Sequence, residues 1–389
     1  MHRLVRLAAL AGALVFSLTA GGAIASAHEI HHEDHVAGHV YINNNTAGVN
    51  TVSGFARHRD GTLTPLPGSP FAIGGAGLGA ATGSQGALQL SDDGNYLLAV
   101  DAGSNQISIA RIFDDGSVHA VSGGPVPSGG VKPVSITVHD DLVYVANAGA
   151  GGSNYTGFRL YGGHLTPIAN STFALPDIAS PGDVLFNGDG RTLVGIRVGP
   201  NAGPSYIDSF LVGHDGRLTP AAGSPIASQV TGPFGSVFSP THPRQLFVTN
   251  AHGGPGAGSV SVFDVQHGVL NAIAGSPFAN GQSGTCWSDI SNDGRFLFAV
   301  NTGSTTISRY SVARNGTLTL LGSTPITNPG SGGLGAFDIR LAPDGRSLYV
   351  VDSSGRVSAF SVDGGNLTEL AASPVPASAG ATPFGIVVN

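Results

Sequence analysis

The sequence is poor in several residue types, and each shortage excludes a class of protein. Among 389 residues there are one cysteine, one methionine and one tryptophan, and only 11% of the residues are charged. Because Cys286 stands alone, the chain can form no internal disulfide. After the N-terminus, no apolar run has the 3.6-residue period of an amphipathic helix. A disulfide scaffold and a helical bundle are therefore both excluded.

Positive charge is also scarce. The formal net charge is −7, and Lys132 is the only lysine. Because proteins that bind nucleic acids carry a basic surface, we expect no nucleic-acid partner. The preference for Arg over Lys, with abundant Ala and Gly, is typical of a GC-rich bacterial genome.

The first residues have the pattern of a secretory signal peptide. Arg3 and Arg6 precede an apolar stretch over residues 7–20, and Ala25 and Ala27 are the small residues that a signal peptidase requires. The apolar stretch is shorter than the ~20 residues needed to span a bilayer. We therefore predict a signal peptide over residues 1–27, cleavage after Ala27, and a secreted protein with no membrane span after cleavage.

A His-rich segment, HEIHHEDH (residues 28–35), follows the predicted cleavage site. Its imidazoles and carboxylates could bind zinc or copper, together with the free amine of His28. The same composition is typical of a flexible, solvated tail, which is our leading interpretation for residues 28–38. We therefore predict no cofactor, with a metal on His28–His35 as the alternative.

Glycine and proline, in contrast, are abundant, at 60 and 24 residues. They separate short runs of β-branched and aromatic residues, which is the pattern of strands. A related segment recurs along the chain, beginning at Asp60, Asp115, Gly162, Asp215, His267, Asn315 and Gly364. A period of roughly fifty residues with several strands per repeat indicates a β-propeller with four-stranded blades.

The last complete repeat predicts the strands of one blade. In order from the inside outwards, strands A to D are predicted at Phe337–Ala342, Leu348–Asp352, Val357–Val362 and from Leu367 onwards. The Asp344-Gly345 turn between strands A and B supplies the positive φ that a tight hairpin requires.

The two ends of the chain predict how the ring closes. The segment TPFGIVVN (residues 382–389) resembles a strand A without a following strand B, and GHVYINNN (residues 38–45) resembles a strand B without a preceding strand A. The C-terminal strand should therefore complete the first blade and leave no open edge. The predicted fold is all-β: one seven-bladed β-propeller over residues 39–389, which we expect to be a monomer.

Three sets of repeated motifs carry a family resemblance. They are the strand ends LFVTN, LFAVN, LYVVD and VYVAN, the outer strands such as DGTLTPL, and turns such as APDGR (residues 342–346). With these motifs the chain resembles the lactonase-type seven-bladed propellers, which include bacterial 6-phosphogluconolactonase and fungal 3-carboxymuconate lactonising enzyme. The resemblance implies a lactonase or lactonising activity on a small anionic or sugar-derived substrate in the central funnel.

The resemblance also locates the family's catalytic motif. Catalytic members carry Gly-Pro-Arg-His at the start of a strand A and Asn-Glu at the end of the next strand B. In this sequence Gly232, Pro233 and Asn250 agree with that motif. The positions of Arg, His and Glu are instead occupied by Phe234, Gly235 and Ala251.

Propeller geometry brings the start of each strand A and the end of each strand B to one face. The predicted strand-B ends are Asn44, Asp101, Asn147, Arg197, Asn250, Asn301 and Asp352. Short polar side chains at such places commonly bond the loop backbone. Arg197 is different, because its guanidinium suits a carboxylate or phosphate. The alternative for Arg197 is a salt bridge to Asp183 in the same blade.

Three further residues at this face allow two interpretations each. Lys132 orients an anion or is an exposed loop lysine, and Trp287 stacks on a ligand or packs between blades. His252 is a general base or an ordinary loop histidine. The complete candidate set is Arg197, His252 and Asp183 for catalysis, and Lys132, Asn147, Asn250, Trp287 and Asp338 for ligand binding, with no metal site.

Two functions follow from this set. The leading hypothesis is an exported lactonase-like propeller with a small-molecule ligand, in which Arg197 and Lys132 orient the anion and His252 or Asp183 transfers protons. The alternative is a non-catalytic propeller that binds a ligand, a protein or a cell surface through its rim loops. An enzyme site requires several of these side chains to face one pocket.

Overall fold

The repeats form a ring of antiparallel sheets. The computed structural model describes residues 35–327, 335–377 and 382–389, and these belong to a unit that spans His35–Asn389. The predicted signal peptide, over residues 1–27, and residues 28–34 of the predicted tail lie outside the described residues. The first strand begins at Val36, within the segment predicted as tail.

The described ranges contain 34 strands. The first nine are β1 (Val36–Asn43), β2 (Gly48–His58), β3 (Leu63–Pro65), β4 (Phe71–Gly77), β5 (Leu88–Leu90), β6 (Tyr96–Asp101), β7 (Gln106–Ile112), β8 (Val118–Ala120) and β9 (Val126–Pro127). The next ten are β10 (Pro133–His139), β11 (Leu142–Asn147), β12 (Asn154–Tyr161), β13 (His164–Pro167), β14 (Phe173–Ala174), β15 (Pro181–Phe186), β16 (Thr192–Arg197), β17 (Tyr206–Val212), β18 (Leu218–Pro220) and β19 (Ile226–Ala227).

The remaining strands continue this pattern to the C-terminus. They are β20 (Pro233–Phe238), β21 (Gln245–Asn250), β22 (Ser259–Gln266), β23 (Val269–Ala272), β24 (Phe278–Ala279), β25 (Thr285–Ile290), β26 (Phe296–Asn301), β27 (Thr306–Val312), β28 (Leu318–Pro325), β29 (Ala336–Leu341), β30 (Ser347–Asp352), β31 (Arg356–Asp363), β32 (Asn366–Glu369), β33 (Val375–Pro376) and β34 (Ile386–Val388). A three-residue 3-10 turn at Asp177–Ala179 precedes β15. Over the described ranges, no helix is long and apolar enough to cross a membrane.

The strands assemble into seven sheets, which confirms the predicted seven-bladed β-propeller. From strand A to strand D, blades 2 to 7 are β5-β6-β7-β8, β10-β11-β12-β13, β15-β16-β17-β18, β20-β21-β22-β23, β25-β26-β27-β28 and β29-β30-β31-β32. Blade 1 is β34-β1-β2-β3. In every blade except blade 6 a further short strand pairs with strand C.

Blade 1 is closed by the C-terminal strand, as the sequence predicts. Strand β34 pairs with β1 in antiparallel register, with Val388 opposite Val40 and Ile386 opposite Ile42. The backbone N–H of His39 also donates to Asn389 Oδ1 at 2.7 Å. Without β34, the inner edge of β1 would expose unpaired backbone groups.

Blade 7 has the strand positions expected from its repeat. Strands β29, β30 and β31 begin and end within one residue of the predicted bounds. Gly345 has φ +70°, which the turn between strands A and B requires. Asp344 Oδ1 accepts the N–H of Arg346 at 2.9 Å and so completes this turn.

The core lies between neighbouring blades, where side chains from strand B reach the next blade. Three buried tyrosines donate to a glycine carbonyl in the turn between strands C and D of that blade: Tyr41 to Gly116 at 2.8 Å, Tyr144 to Gly216 at 2.7 Å and Tyr349 to Gly61 at 2.9 Å. Burial raises the pKa of all three phenols, that of Tyr349 to about 12. Because Tyr349 joins blade 7 to blade 1, side-chain packing also closes the ring.

Candidate functional site

The starts of strands A and the ends of strands B share one face of the propeller. Opposite each other lie Pro133 and Asn147, Pro181 and Arg197, Pro233 and Asn250, Thr285 and Asn301, and Ala336 and Asp352. We call this end of the central channel the upper mouth, and the end formed by the last residues of the strands A the lower mouth. The face chosen from the sequence is therefore the upper mouth.

Aromatic rings from four adjacent blades fill the upper mouth. Trp287 of blade 6 packs against Phe234, Phe337 and Phe384 of blades 5, 7 and 1, with ring centroids 4.9, 5.4 and 6.0 Å away. All four side chains are buried, and the exposed fraction of Trp287 is 2%. We call these four residues the aromatic plug. These contacts agree with the interpretation of Trp287 as a residue that packs between blades.

Blade 2 secures the plug from the other side of the channel. The indole N–H of Trp287 donates to the carbonyl of Ser84 at 2.7 Å. The side chain of Gln85 donates to the carbonyl of Ser236 at 2.8 Å and accepts the N–H of Ser288 at 3.0 Å. Because these bonds join blade 2 to blades 5 and 6, they cross the channel axis.

The plug occupies the positions of the family's catalytic motif. Phe234 is one of its four rings, and Gly235 contacts Gln85 closely. A Cβ atom at Gly235 would lie 2.2 Å from Gln85 Oε1 and 2.7 Å from the carbonyl oxygen of Cys286. Since no side chain fits there, the position that holds His in catalytic members is closed in this chain.

Arg197 is bound within its own blade, but not by the partner predicted for it. Its Nε donates to Asp208 Oδ2 at 2.6 Å, and its Nη2 donates to Asp208 Oδ1. The expected salt bridge to Asp183 was wrong for a reason of register. Asp183 lies opposite Ile196, whose side chain points away from that of Arg197. Asp208 lies opposite Gly195, on the side of the sheet where Arg197 points.

This ion pair is buried at the rim of the mouth. The side chains of Arg197 and Asp208 are 11% and 1% exposed. Burial opposes the charge of Arg197, but the Asp208 carboxylate prevails and raises the pKa of the guanidinium. Tyr155 also donates to Asp208 Oδ2 at 3.0 Å. The fork of Arg197 is thus already occupied by a carboxylate of the protein.

Other blades have an uncharged serine in strand C at the corresponding place. The residue at the end of strand B bonds a strand-C serine in Asn44–Ser53, Asp101–Ser108, Asn250–Ser261 and Asn301–Ser308, at 2.7 to 3.0 Å. Each serine lies opposite the residue two before the strand-B end, as Asp208 does in blade 4. The exceptional Arg197 is therefore matched by an exceptional Asp208.

The amide side chains of Asn250 and Asn147 donate hydrogen bonds to neighbouring groups of the protein. Asn250 donates to Ser259 and Ser261, both at 3.0 Å. Asn147 donates to Asn154 at 2.8 Å and to the carbonyl of Ser128 at 3.2 Å. Both amides are buried. Asn147 bonds the loop backbone, as a strand-end cap does, whereas the bonds given for Asn250 go to side-chain hydroxyls.

Two aspartates lie inside the channel, below the plug. Asp183 is held between blades by Ser135 at 3.2 Å and by the hydroxyl and N–H of Ser236 at 2.6 and 2.9 Å. Burial raises its pKa to about 7. Asp338 of blade 7 is fully buried, and burial raises its pKa to about 6. Asp338 acts electrostatically on Asp183, and both side chains are buried.

His252 and Lys132 lie on the rim, in different blades. The ring of His252 packs on Gly232, and its burial lowers the imidazole pKa. Lys132 has a left-handed backbone with φ 58°, and its N–H donates to Asn105 Oδ1 at 2.7 Å. Among the described residues, no hydrogen bond joins Arg197, His252 or Lys132 to another of the three. Of the predicted residues, Asp183 and Asp338 therefore share an electrostatic interaction, and no described hydrogen bond joins the three rim candidates.

Sequence reasoning missed the residues that close the mouth. The signal was present, because GPF, GAF and TPF place Phe234, Phe337 and Phe384 at the start of three strands A, and Trp287 follows within GTCW. Gln85 carried no such signal, since its partners lie 151 and 203 residues away. In the described part of the chain, no group of three or more His, Cys, Asp or Glu is placed to hold a metal ion.

The family resemblance is confirmed by a family model. Residues 230–380, which include blades 5 to 7, match the model of "Lactonase, 7-bladed beta-propeller". No curated protein matches the sequence. The chain is therefore a seven-bladed propeller that is similar to the lactonase family over residues 230–380.

Solved structures share this fold at low identity. A periplasmic gluconolactonase from Pseudomonas aeruginosa is 17% identical, with a TM-score of 0.71, over 90% of this chain and 98% of that one. Two proteins provisionally assigned as 6-phosphogluconolactonases are similar too. The Bacteroides fragilis protein is 19% identical with a TM-score of 0.71, and the Bacteroides uniformis protein is 20% identical with a TM-score of 0.70. Each match includes 90% of this chain. It includes 97% of the Bacteroides fragilis chain and 99% of the Bacteroides uniformis chain.

Proposed function

We propose that this protein is an exported, lactonase-like propeller that binds its ligand or partner without hydrolysing a lactone at the upper mouth. The observation that carries the proposal is the aromatic plug, which occupies the place of the family's catalytic motif. The pattern of a secretory signal peptide over residues 1–27 supports export.

The chemistry of lactone hydrolysis supports the same conclusion. The reaction needs a cation for the anionic group of the substrate, an acid or base beside the ring ester, and space for the ring. At the upper mouth the space is filled by rings, and the guanidinium of Arg197 is bound to Asp208. The carboxyl group of Asp183 has a pKa suited to proton transfer, but its exposed fraction is only 2%.

The test is hydrolysis of a panel of sugar-acid and carboxymuconate lactones by the purified mature protein, followed by titration of the released acid. We expect no rate above that of the uncatalysed reaction. Turnover by the wild type that disappears in Asp183→Asn would overturn the proposal. Asp183→Asn keeps the size of the side chain, and Trp287 fluorescence checks that the variant is folded.

Lactone hydrolysis is the second candidate, because residues 230–380 match the lactonase family. In that case Arg197 and Lys132 would orient the anion, and Asp183 or His252 would transfer the proton. Running the same panel with a chelator separates a further possibility. Turnover lost only with chelator would direct attention to a metal on the His28–His35 segment.

A further inference from the structure

The lower mouth differs from the upper mouth in being open. A cavity of about 360 Å³ lies where the strands A of blades 1 to 4 end, beside β29 of blade 7. Leu185 and Val387 form part of its apolar wall. Its polar lining includes Gln89, Thr137, Asn187 and Arg340. A concave site with an apolar wall and a few converging polar groups is the usual form of a ligand site.

Arg340 brings an unused donor to this cavity. Its Nε donates to the carbonyl of Ile386 at 3.2 Å. Its Nη2 is buried and has no hydrogen-bond partner among the described residues. A buried guanidinium N–H without an acceptor is costly, and the Arg340 side chain to which it belongs lines the cavity.

Two carboxylates interact with the charge of Arg340 but form no hydrogen bond with its Nη2. Asp289 and Asp338 both interact with it electrostatically. The oxygens of Asp289 accept the backbone N–H groups of Ile290 at 2.8 Å and Leu341 at 2.7 Å. Asp338 Oδ1 accepts the N–H of Ile339 at 2.9 Å. The two carboxylates therefore stabilise the charge of Arg340 electrostatically, without a hydrogen bond to its Nη2.

The neighbouring polar groups are oriented as donors. Thr137 Oγ1 accepts the N–H of Phe186 at 3.2 Å, and Asn187 Oδ1 accepts the N–H of Thr192 at 2.9 Å. With their oxygens engaged by backbone, the hydroxyl of Thr137 and the amide NH₂ of Asn187 remain to donate. His139 adds an imidazole, and Asp92, whose Oδ2 accepts the N–H of Asp140, is the carboxylate on the lining.

We propose that the lower mouth binds a small oxyanion, a carboxylate or phosphate group held by Arg340 with Thr137, Asn187 and Gln89. A guanidinium donating to such a group makes a charge-assisted hydrogen bond, and the surrounding donors match its oxygens. The site lies at the opposite end of the channel from the family's catalytic motif. It deepens the proposed binding function, on which its biological meaning rests, by naming a ligand class.

The test is calorimetric titration of the mature protein with sodium acetate and, separately, with sodium phosphate, at pH 7 and at constant ionic strength set with chloride. We expect saturable binding of at least one anion. Arg340→Gln should weaken it about tenfold or more, because it removes the charged donor. Arg244→Gln is the matched control, since it removes the same charge from a side chain that is 63% exposed and outside the cavity. Its binding should equal that of the wild type.

A second variant tests the site without removing Arg340. Gln89→Glu places a negative charge in the cavity and should also weaken the anion about tenfold. Trp287 fluorescence reports whether each variant is folded. Binding of acetate alone identifies a carboxylate site, and binding of phosphate alone a phosphate site. Absence of saturable binding, or equal binding by the wild type and both cavity variants, would overturn the inference. Lactone turnover would overturn the proposed function but leave this result unchanged.

Discussion

The two mouths of the channel are made by the same strands A, yet they have opposite character. The upper mouth is closed by four aromatic rings, and its charged rim residue Arg197 is bound to Asp208. The lower mouth opens into a cavity, and its Arg340 keeps a buried N–H that has no partner among the described residues. In this chain, closure by aromatic rings and the internal ion pair of Arg197 mark the upper mouth as structural. Unused donors mark the lower mouth as a place for a ligand.

The comparison shows that the positions where the resemblance places a catalytic motif are part of the buried core in this chain. Phe234 and Gly235 stand in the places of a cation and a base, and blade 2 adds Gln85 across the axis. Substitutions at the upper mouth should therefore change stability. Substitutions at the lower mouth should change binding with little effect on stability.

The largest expected loss of stability comes from breaking the ion pair of the upper rim. Arg197→Asn leaves the buried Asp208 without its charge partner and should lower the free energy of unfolding by about 4 kcal/mol. Urea denaturation followed by circular dichroism measures this. Arg197→Asn combined with Asp208→Ser imitates the Asn250–Ser261 pair and should recover more than half of the loss. A double variant as unstable as the single one would contradict this account.

The plug should be the next most sensitive element. Phe337→Ala removes a ring that lies between Trp287 and Phe384 and should cost about 3 kcal/mol in unfolding free energy. The matched change at the lower mouth, Gln89→Leu, should cost less than about 0.5 kcal/mol, because this side chain is partly exposed. Equal losses in the two variants would remove the distinction between the mouths.

The channel carboxylate should make stability depend on pH. In the folded protein the pKa of Asp183 is raised from 3.8 to about 7, because burial disfavours its charge. The folded state therefore binds the proton more tightly than the unfolded state, and this contribution is full below about pH 4 and is lost as the pH rises through 7. Compared with Asp183→Asn, the wild type should lose a few kcal/mol of unfolding free energy between pH 4 and 8. If the unfolding free energies of the two proteins changed in the same way with pH, the raised pKa of Asp183 would be refuted.

The smallest effect is expected at the rim lysine. Lys132→Gln removes the only lysine from a partly exposed loop position and should change the unfolding free energy by less than about 0.5 kcal/mol. Anion binding at the lower mouth should also be unchanged. A clear loss of anion binding would show that Lys132 contributes to a site that its position at the upper rim does not suggest.

The fold could be predicted almost completely from the sequence. The repeat of roughly fifty residues specified seven blades, and the incomplete segments at the two ends specified their joining. The bounds in blade 7 were correct to one residue because Gly345 and the alternating strands are local signals. Short-range periodicity and turn chemistry act within one repeat, so one sequence is enough to see them.

The candidate site was less predictable, for a physical reason. Asn250 and Asn147 could be interpreted as caps, because their partners are close along the chain. The partner of Arg197 depends on which side of the sheet each residue faces. Asp208 lies opposite Gly195, on the side of Arg197, and Asp183 lies opposite Ile196, on the other side. Aligning the strands C of the repeats would have shown Asp208 in place of serine.

The sequence by itself determined the all-β class, the number of blades and the closure by β34, since these follow from patterns within and between repeats. Tertiary structure alone decided which mouth is closed. Trp287 meets Ser84, and Gln85 meets Ser236, only because seven blades converge on one axis. The same convergence leaves Arg340 facing a cavity. Contacts across the axis join residues that are distant in the chain, and no local pattern specifies them.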